Sequence, residues 1–424
     1  MVRRVLESGY QRQELRSLSA GLVDAGAQAL ATFAASVFAA RVLSLPELGL
    51  FAIFFSARLL ASHLPTQLIL IPVEAKLVLL PAEERPDHML RNFRLALPLA
   101  VLGAAAVLLI QFIIPGSPET SHVVSQLAYT AALVALLHPL QEHARRLLHL
   151  AREHGSAATV STVRMVFAFL ALFGGWVLGI EHSLLPFGAL AIGDLCALLV
   201  ALQLARSRRE SAAIYTTKEL LLSGKWLMVS AMLGPAAGLV VGLLVAALAG
   251  AAALGLAEAA RVLAQPVLVL ALGLSVVLRP SSMEAAVESD RQRAESLSRS
   301  LRRRVLFASL AYLGLVSLPE SVNPLMALIP KAFEIPGLVQ ISVIAAVVNA
   351  GVLLQRSELI ALERTRTLSF AEAAATFGRV AVAVPSALIL YWAVPLGFLI
   401  SGVTKWMKFT SILRNVYAKA EEEV

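Results

Sequence analysis

Arg58 and Arg379 each stand deep inside a long apolar stretch, and each belongs to a polar series with helical spacing. Arg58, Ser62 and Thr66 recur every four residues, and Glu372, Thr376 and Arg379 follow steps of four and three. Asp24, Gln28, Thr32 and Ser36 form another four-residue series. Glu258, Arg261 and Gln265 fall at i, i+3 and i+7, and Ser342, Asn349 and Arg356 are spaced by seven. On an α-helix each set lies on one face. An ionisable side chain in hydrocarbon costs about 2.5 kcal/mol or more, so such residues face a cavity or a partner. A guanidinium in that setting offers paired donors to a doubly charged phosphate or pyrophosphate. A carboxylate there can exchange a proton or cation as a cavity changes sides. Arg58, Arg379, Arg261, Arg164, Gln28 and Asn349 are therefore the candidate substrate-binding residues. Asp24, Asp194, Glu258 and Glu372 are the candidates for ion or proton coupling.

The elements that must position these groups are membrane helices. A bilayer core demands roughly 20 apolar residues per helix. Twelve stretches meet that need, near 19–41, 48–72, 95–115, 122–140, 158–180, 183–205, 222–248, 254–278, 305–329, 337–359, 370–392 and 394–412. With 58% hydrophobic and 15% charged residues and a mean hydropathy of +0.77, a water-soluble domain is excluded. The net charge of +8 collects on alternate connections. Arg3, Arg4, Arg12 and Arg16 precede the first span; Arg85, Arg91 and Arg94 precede the third; Arg145, Arg146 and Arg152 flank the fourth-to-fifth loop. Arg206, Arg208, Arg209, Lys218 and Lys225, then the 291–304 run, then Arg364 and Arg366 continue the series, with Lys331 the main exception. The positive-inside rule then predicts a multi-pass inner or plasma membrane protein with both termini cytoplasmic. A basic run beside a membrane helix reads as a topology signal or an anionic-lipid contact, not as a nucleic-acid site.

The expected fold is an all-α membrane protein of twelve transmembrane helices in two six-helix lobes. Its parts would be an interfacial segment 1–18 before an uncleaved first helix, an N-lobe 19–205, a linker 206–221, a C-lobe 222–412 and a tail 413–424. Leu48-Gly49-Leu50 matches Leu254-Gly255-Leu256 at an offset of 206, and Arg164 precedes Trp176 much as Arg379 precedes Trp392. Halves with an even number of helices share one orientation and are related by an axis along the membrane normal. At about 1.5 Å per residue, Arg58 lies roughly 15 Å into its span, near the midplane, and Arg379 at a comparable depth. Arg261 is nearer the outer face, where Glu258 would neutralise it. Arg164 and Asp24 share the inner third and are placed to pair, and Lys405 would snorkel toward the cytoplasm. Polar faces in both halves predict one solvated cavity between the lobes.

Three pieces carry a family resemblance: Ala39-Ala-Arg-Val-Leu-Ser-Leu-Pro-Glu-Leu-Gly-Leu-Phe-Ala52, Leu140-Gln-Glu-His-Ala-Arg-Arg-Leu-Leu-His-Leu-Ala-Arg-Glu-His-Gly155, and Ser223-Gly-Lys-Trp226. On these the chain resembles the Wzx-type polysaccharide exporters, flippases of lipid-linked oligosaccharides in the MOP superfamily, which also holds the MATE exporters. The resemblance implies a V-shaped pair of lobes, alternating access and a cationic central cavity for the head group of a polyprenyl-pyrophosphate sugar. Placing Arg58 and Arg379 in that cavity follows from depth and facing, not from a motif of the family.

The function expected is flipping of a lipid-linked oligosaccharide for polysaccharide biosynthesis. The alternative is a MATE-like ion-coupled exporter of drugs or metabolites, which would favour an acidic and aromatic cavity. A membrane glycan polymerase or ligase would need a substantial external loop, and those near 116–121, 181–183 and 249–253 are short. Ser223-Gly224-Lys225 lacks the earlier glycine of a phosphate loop, so direct ATP use is not expected. His143, His149 and His154 are expected to be solvated rather than metal ligands, and Cys196 to be a packing residue. No cofactor is expected. The expected partners are the polyprenyl-linked oligosaccharide, membrane lipids and polysaccharide-assembly proteins, with no nucleic acid and a monomeric chain.

Overall fold

The computed structural model describes residues 2–78, 80–114, 118–204, 215–389 and 391–422. Arg206, Arg208 and Arg209 of the expected linker lie outside the described residues. No strand occurs among the described residues, which form α1 (Val2–Val42), α2 (Leu45–Pro65), α3 (Ile71–Leu77), α4 (Met89–Ile110), α5 (Pro118–Leu150), α6 (His154–Val177), α7 (Leu185–Leu204) and α8 (Thr217–Ala249). They continue with α9 (Ala251–Val287), α10 (Arg291–Val316), α11 (Pro324–Leu328), α12 (Leu338–Ala350), α13 (Leu353–Ala361), α14 (Thr365–Ser386) and α15 (Ala393–Glu422). A π-helical turn, Thr66–Leu70, joins α2 to α3 without a break, so one helical rod runs from Leu45 to Leu77.

Among the described residues, ten stretches are long and apolar enough to cross a membrane. α10 and α15 overlap the ninth and twelfth expected spans, but these two helices also carry the 291–304 basic run and Lys405, Lys408 and Arg414. The ninth differs from expectation. A continuous helix over 305–329 does not form, because Pro319 and Pro324 bar continuation and α10 stops at Val316. Large apolar side chains face outward, Phe112 and Ile389 being 79% and 82% exposed. Such surfaces suit hydrocarbon rather than water.

Polar side chains set several helix starts. Ser44 donates both its N–H (2.7 Å) and its hydroxyl (2.8 Å) to Glu47, a capping-box pattern at α2. Thr216 and Glu219 exchange two such bonds at α8, and Asp290 caps α10 by accepting from the Arg293 N–H. Lys331, the exception to the charge pattern, donates to the carbonyls of Leu43 and Arg41 at the end of α1, while Arg41 donates to the carbonyls of Ala327 and Leu328 at the end of α11. Lys331 thus meets the negative end of α1, and Arg41 that of α11.

Contacts sort the chain into two units. The first comprises Met1–Ala35, Ala61–Leu109 and Ala128–Lys225, the second Ser36–Leu60, Ile110–Leu127 and Trp226–Val424. In the first, α6 packs along α7, and Ile69, Leu70, Val73, Met89, Leu147 and Val160 share a buried core. In the second, α9 is packed by α10, α12 and α13, and α15 by α12 and α14. Here the starts of α2 and α9 also meet. A Cβ on Gly49 would overlap the Ala251 carbonyl, and one on Gly255 would overlap the Leu45 carbonyl. The 206-residue offset that aligns Gly49 with Gly255 also aligns Leu45 with Ala251, so the contact is reciprocal.

Candidate functional site

The second unit holds a cavity of about 270 Å³ built around Arg379. Small residues open it: Gly234, Gly238 and Gly242 of α8 line one wall, and a Cβ on Gly238 would come within 3.2 Å of Ser56 Oγ. Phe55 of α2 and Phe398 of α15 supply aromatic faces, and Ser56 and Ser342 supply hydroxyls. Arg261 and Glu258 form a fork at 2.6 and 2.7 Å, which cancels that pair of charges within the wall as the sequence spacing predicts. The Arg261 guanidinium lies 4.7 Å from the Phe55 ring centroid, a cation–π distance. Arg379 is different. Its Nη1 donates to the Gly234 carbonyl at 3.4 Å, its Nε has no partner, and its guanidinium stands 5.4 Å from the Phe398 ring. Among the described residues it holds no carboxylate.

The backbone around Arg379 occurs twice. Where α7 crosses α6, a Cβ on Gly193 would lie 2.6 Å from the Arg164 carbonyl oxygen and 3.2 Å from Ala168 Cβ. Where α15 crosses α14, a Cβ on Gly397 would lie 2.8 Å from both the Arg379 carbonyl oxygen and Ala383 Cβ. Arginine, alanine four residues on, and the crossing glycine thus recur in each unit. The residue after the glycine does not. After Gly193 comes Asp194, which takes the Arg164 Nε at 2.5 Å; after Gly397 comes Phe398. One crossing is internally neutral and the other leaves a guanidinium facing a cavity.

Arg58 is 2% exposed, stacks at 4.8 Å on Phe55, and is not part of the cavity lining. Asn349 is spent on structure, giving its amide protons to the Ala345 and Phe398 carbonyls at 2.9 Å each. Glu372 is held by Lys405 (2.8 Å) and Arg356 (3.5 Å), so Lys405 turns to a carboxylate instead of snorkelling. In the first unit, Gln28 donates to Ser161 at 3.1 Å and its carbonyl accepts from Arg164 at 3.1 Å. Arg164 does not pair with Asp24. Its carboxylate is Asp194, which His138 also approaches at 3.4 Å. Asp24 is taken by Arg145, by His149 at 2.9 Å and by the Ser161 hydroxyl at 2.5 Å. Of the three histidines expected to be solvated, His143 is buried, while His149 and His154 are half-buried. α5 stays helical to Leu150 and turns the His143 side chain inward, so it is 1% exposed, set between Glu74 (2.8 Å) and Asn92 (3.0 Å).

Solved structures resemble the chain over nearly its whole length. An inward-facing multidrug resistance MATE family transporter of the MOP superfamily gives a TM-score of 0.71 at 14% identity, covering 93% of this chain and 96% of its own. A MATE in the straight conformation gives 0.70 at 14%, with 97% and 96% covered. This is the MATE transporter fold. A third example, a MATE in the bent conformation, gives 0.66 at 13%, with 96% and 97% covered. No protein-family model and no curated protein matches the sequence. These MATE-fold neighbours are transporters rather than enzymes, and identities this low speak to fold alone.

Sequence reasoning missed Phe55, Phe398 and the small-residue wall of α8. An offset of 206 carries Asp194 to residue 400, two places past Phe398. Registering the two crossings on Gly193 and Gly397 would have exposed the exchange of Asp for Phe.

Proposed function

We propose that this chain is a membrane transporter working by alternating access, and that it flips a lipid-linked oligosaccharide whose phosphates bind Arg379. One observation carries the reading: the guanidinium that Asp194 neutralises at the first crossing has no carboxylate at the second, where it lines a cavity. A buried cation without a counter-ion is destabilising by several kcal/mol, so its presence points to an anion that arrives from outside the fold. The cavity has room for a phosphate or pyrophosphate group rather than a glycan, so the sugar would project beyond it. Aromatic faces at Phe55 and Phe398 would pack the apolar part of an amphipathic substrate.

In this proposal coupling rests on Asp24 and Asp194, whose oxygens are shared between an arginine and a histidine. An incoming proton or cation competes there with His149 and His138 instead of entering an empty site. Glu258 and Glu372 serve to balance Arg261, Arg356 and Lys405.

The apolar and aromatic walls also suit the second reading, a MATE-like exporter of an organic solute. Charge separates the two. In proteoliposomes, a fluorescent polyprenyl-pyrophosphate sugar should cross and a lipophilic cation should not, and Arg379→Ala should stop the anion. Transport of the cation, with Arg379→Ala improving it, would replace the flippase reading by the exporter.

A further inference from the structure

Four arginines crowd a cleft in the second unit that the transport reading does not use. The cleft, about 330 Å³, lies among α10, α13 and α15 and is lined by Arg291, Arg299, Arg302 and Arg414 against two carboxylates, Glu295 and Glu358. It sits at the end of the helices that the charge pattern assigns to the cytoplasm. The carboxylates are engaged already. Glu295 bridges Arg291 at 2.9 Å and Arg299 at 3.4 Å, while buried Glu358 accepts the hydroxyls of Ser282 and Ser298 at 3.0 Å each. Arg302 and Arg414 hold no hydrogen bond or ion pair among the described residues.

Two of the side chains that line the cleft, each more than nine-tenths buried, carry an unsatisfied polar atom. Gln355, 6% exposed, gives its Nε2 to Thr410 Oγ1 at 3.1 Å and leaves Oε1 without a donor. Tyr417, 4% exposed, leaves its hydroxyl without any partner. The Tyr417 ring is fixed in a core with Leu359, Leu368 and Phe409, so its hydroxyl cannot swing to water. Burial pushes this phenol up to about 12, which keeps it a donor at neutral pH. Buried polar atoms left unmatched cost about 1 to 3 kcal/mol each, and a ligand that matched both would remove that cost.

We propose that this cleft binds a phosphate ester bearing a neighbouring hydroxyl. Arg302, Arg414 and the Tyr417 hydroxyl would donate to phosphate oxygens, and the ligand's hydroxyl would donate to Gln355 Oε1. A bare oxyanion with acceptors only would leave Gln355 unanswered. Two sources offer this chemistry, a glycerol-bearing lipid headgroup and a soluble glycerol or sugar phosphate. Trp406 lines the same cleft and is 48% exposed, an amphipathic ring of the kind enriched at headgroup level. A second depression on α10 shares Arg299 and adds Arg303 and Arg304, extending a basic surface that attracts an anionic leaflet.

The test uses the full-length protein. Native mass spectrometry would score retention of phosphatidylglycerol against phosphatidic acid and phosphatidylcholine from mixed nanodiscs. Thermal unfolding in detergent would be titrated with glycerol 3-phosphate and with inorganic phosphate. Retention of phosphatidylglycerol without response to glycerol 3-phosphate supports the lipid source, and a saturable shift with glycerol 3-phosphate supports the soluble one. In either case R302Q/R414Q should weaken binding about 100-fold, roughly tenfold per charge-assisted contact. Gln355→Leu should erase the preference for phosphatidylglycerol over phosphatidic acid. Should the double variant not fold, the wild-type titrations alone decide. No response of the wild type to any phosphate ester, or a double variant within roughly twofold of it, overturns the proposal.

Discussion

Replacing Phe398 by aspartate would rebuild at the second crossing the ion pair that exists at the first. There the Arg164 Nε meets Asp194 at 2.5 Å, and the matching glycine contacts at Gly193 and Gly397 place residue 398 where Asp194 stands. An internal carboxylate would claim the donors of Arg379 that a phosphate needs. A hydrogen bond to a charged group contributes about 1.5 to 3 kcal/mol, so head-group affinity should fall about 10- to 150-fold. Phe398→Asn removes the same ring and adds a neutral group of the same shape, so the Asp-minus-Asn difference isolates charge from packing. The assay is equilibrium binding of a fluorescent polyprenyl pyrophosphate to protein in detergent, with flipping measured in proteoliposomes. A double-mutant cycle with Arg379→Ala completes it, since without the guanidinium Asp and Asn at 398 should differ little. If the Asp and Asn variants bind alike in the Arg379 background, the uncompensated-charge argument is refuted.

Arg379→Lys should lie between wild type and Arg379→Ala in phosphate affinity, because lysine keeps the charge but not the planar fork; equal affinity of lysine and alanine variants would deny a role to charge. Gly49→Ala and Gly255→Ala should each destabilise by about 1 to 3 kcal/mol through overpacking, read by thermal unfolding in detergent, and a neutral Gly255→Ala would contradict the reciprocal contact. Asp194→Asn should cost about 3 to 5 kcal/mol by stranding Arg164, and Arg164→Met in the same chain should recover much of it, with unfolding midpoints as the measurement. In a Cys196→Ala background, cysteine at 182 should react with an impermeant thiol reagent from outside, and cysteine at 295 only after permeabilisation; outside labelling at 295 would overturn the orientation.

The helices were largely legible because bilayer length and loop charge are one-dimensional signals. Interruptions were legible where proline marks them, as at Pro319 and Pro324, but were outweighed by the apolar character of 305–329. The Glu258–Arg261 pair could be read because both residues lie on one helix, three apart. The partner of Arg164 could not, since choosing between Asp24 and Asp194 depends on which helices are neighbours and on their rotation. The same limit hid His143, whose burial follows from the facing of α5 and from Glu74 on another helix. Arg379 stood out by depth, yet its significance lies in Phe398, an apolar residue that no search for polar chemistry would select.

The reciprocal contact of Gly49 with Ala251 and of Gly255 with Leu45 has the form of an isologous interface, in which residue i meets j and j meets i across a two-fold axis. Between two copies of a shorter chain, one glycine would have satisfied both sides at once. In a single fused chain the two positions are free to differ, and they do not. The Asp194 and Phe398 positions do. Fusion therefore separates what a symmetric dimer cannot: the close approach of backbones is kept twice over, while the charge balance at the two arginine crossings is set independently, neutralised within the fold at Arg164 and without an internal carboxylate at Arg379 among the described residues.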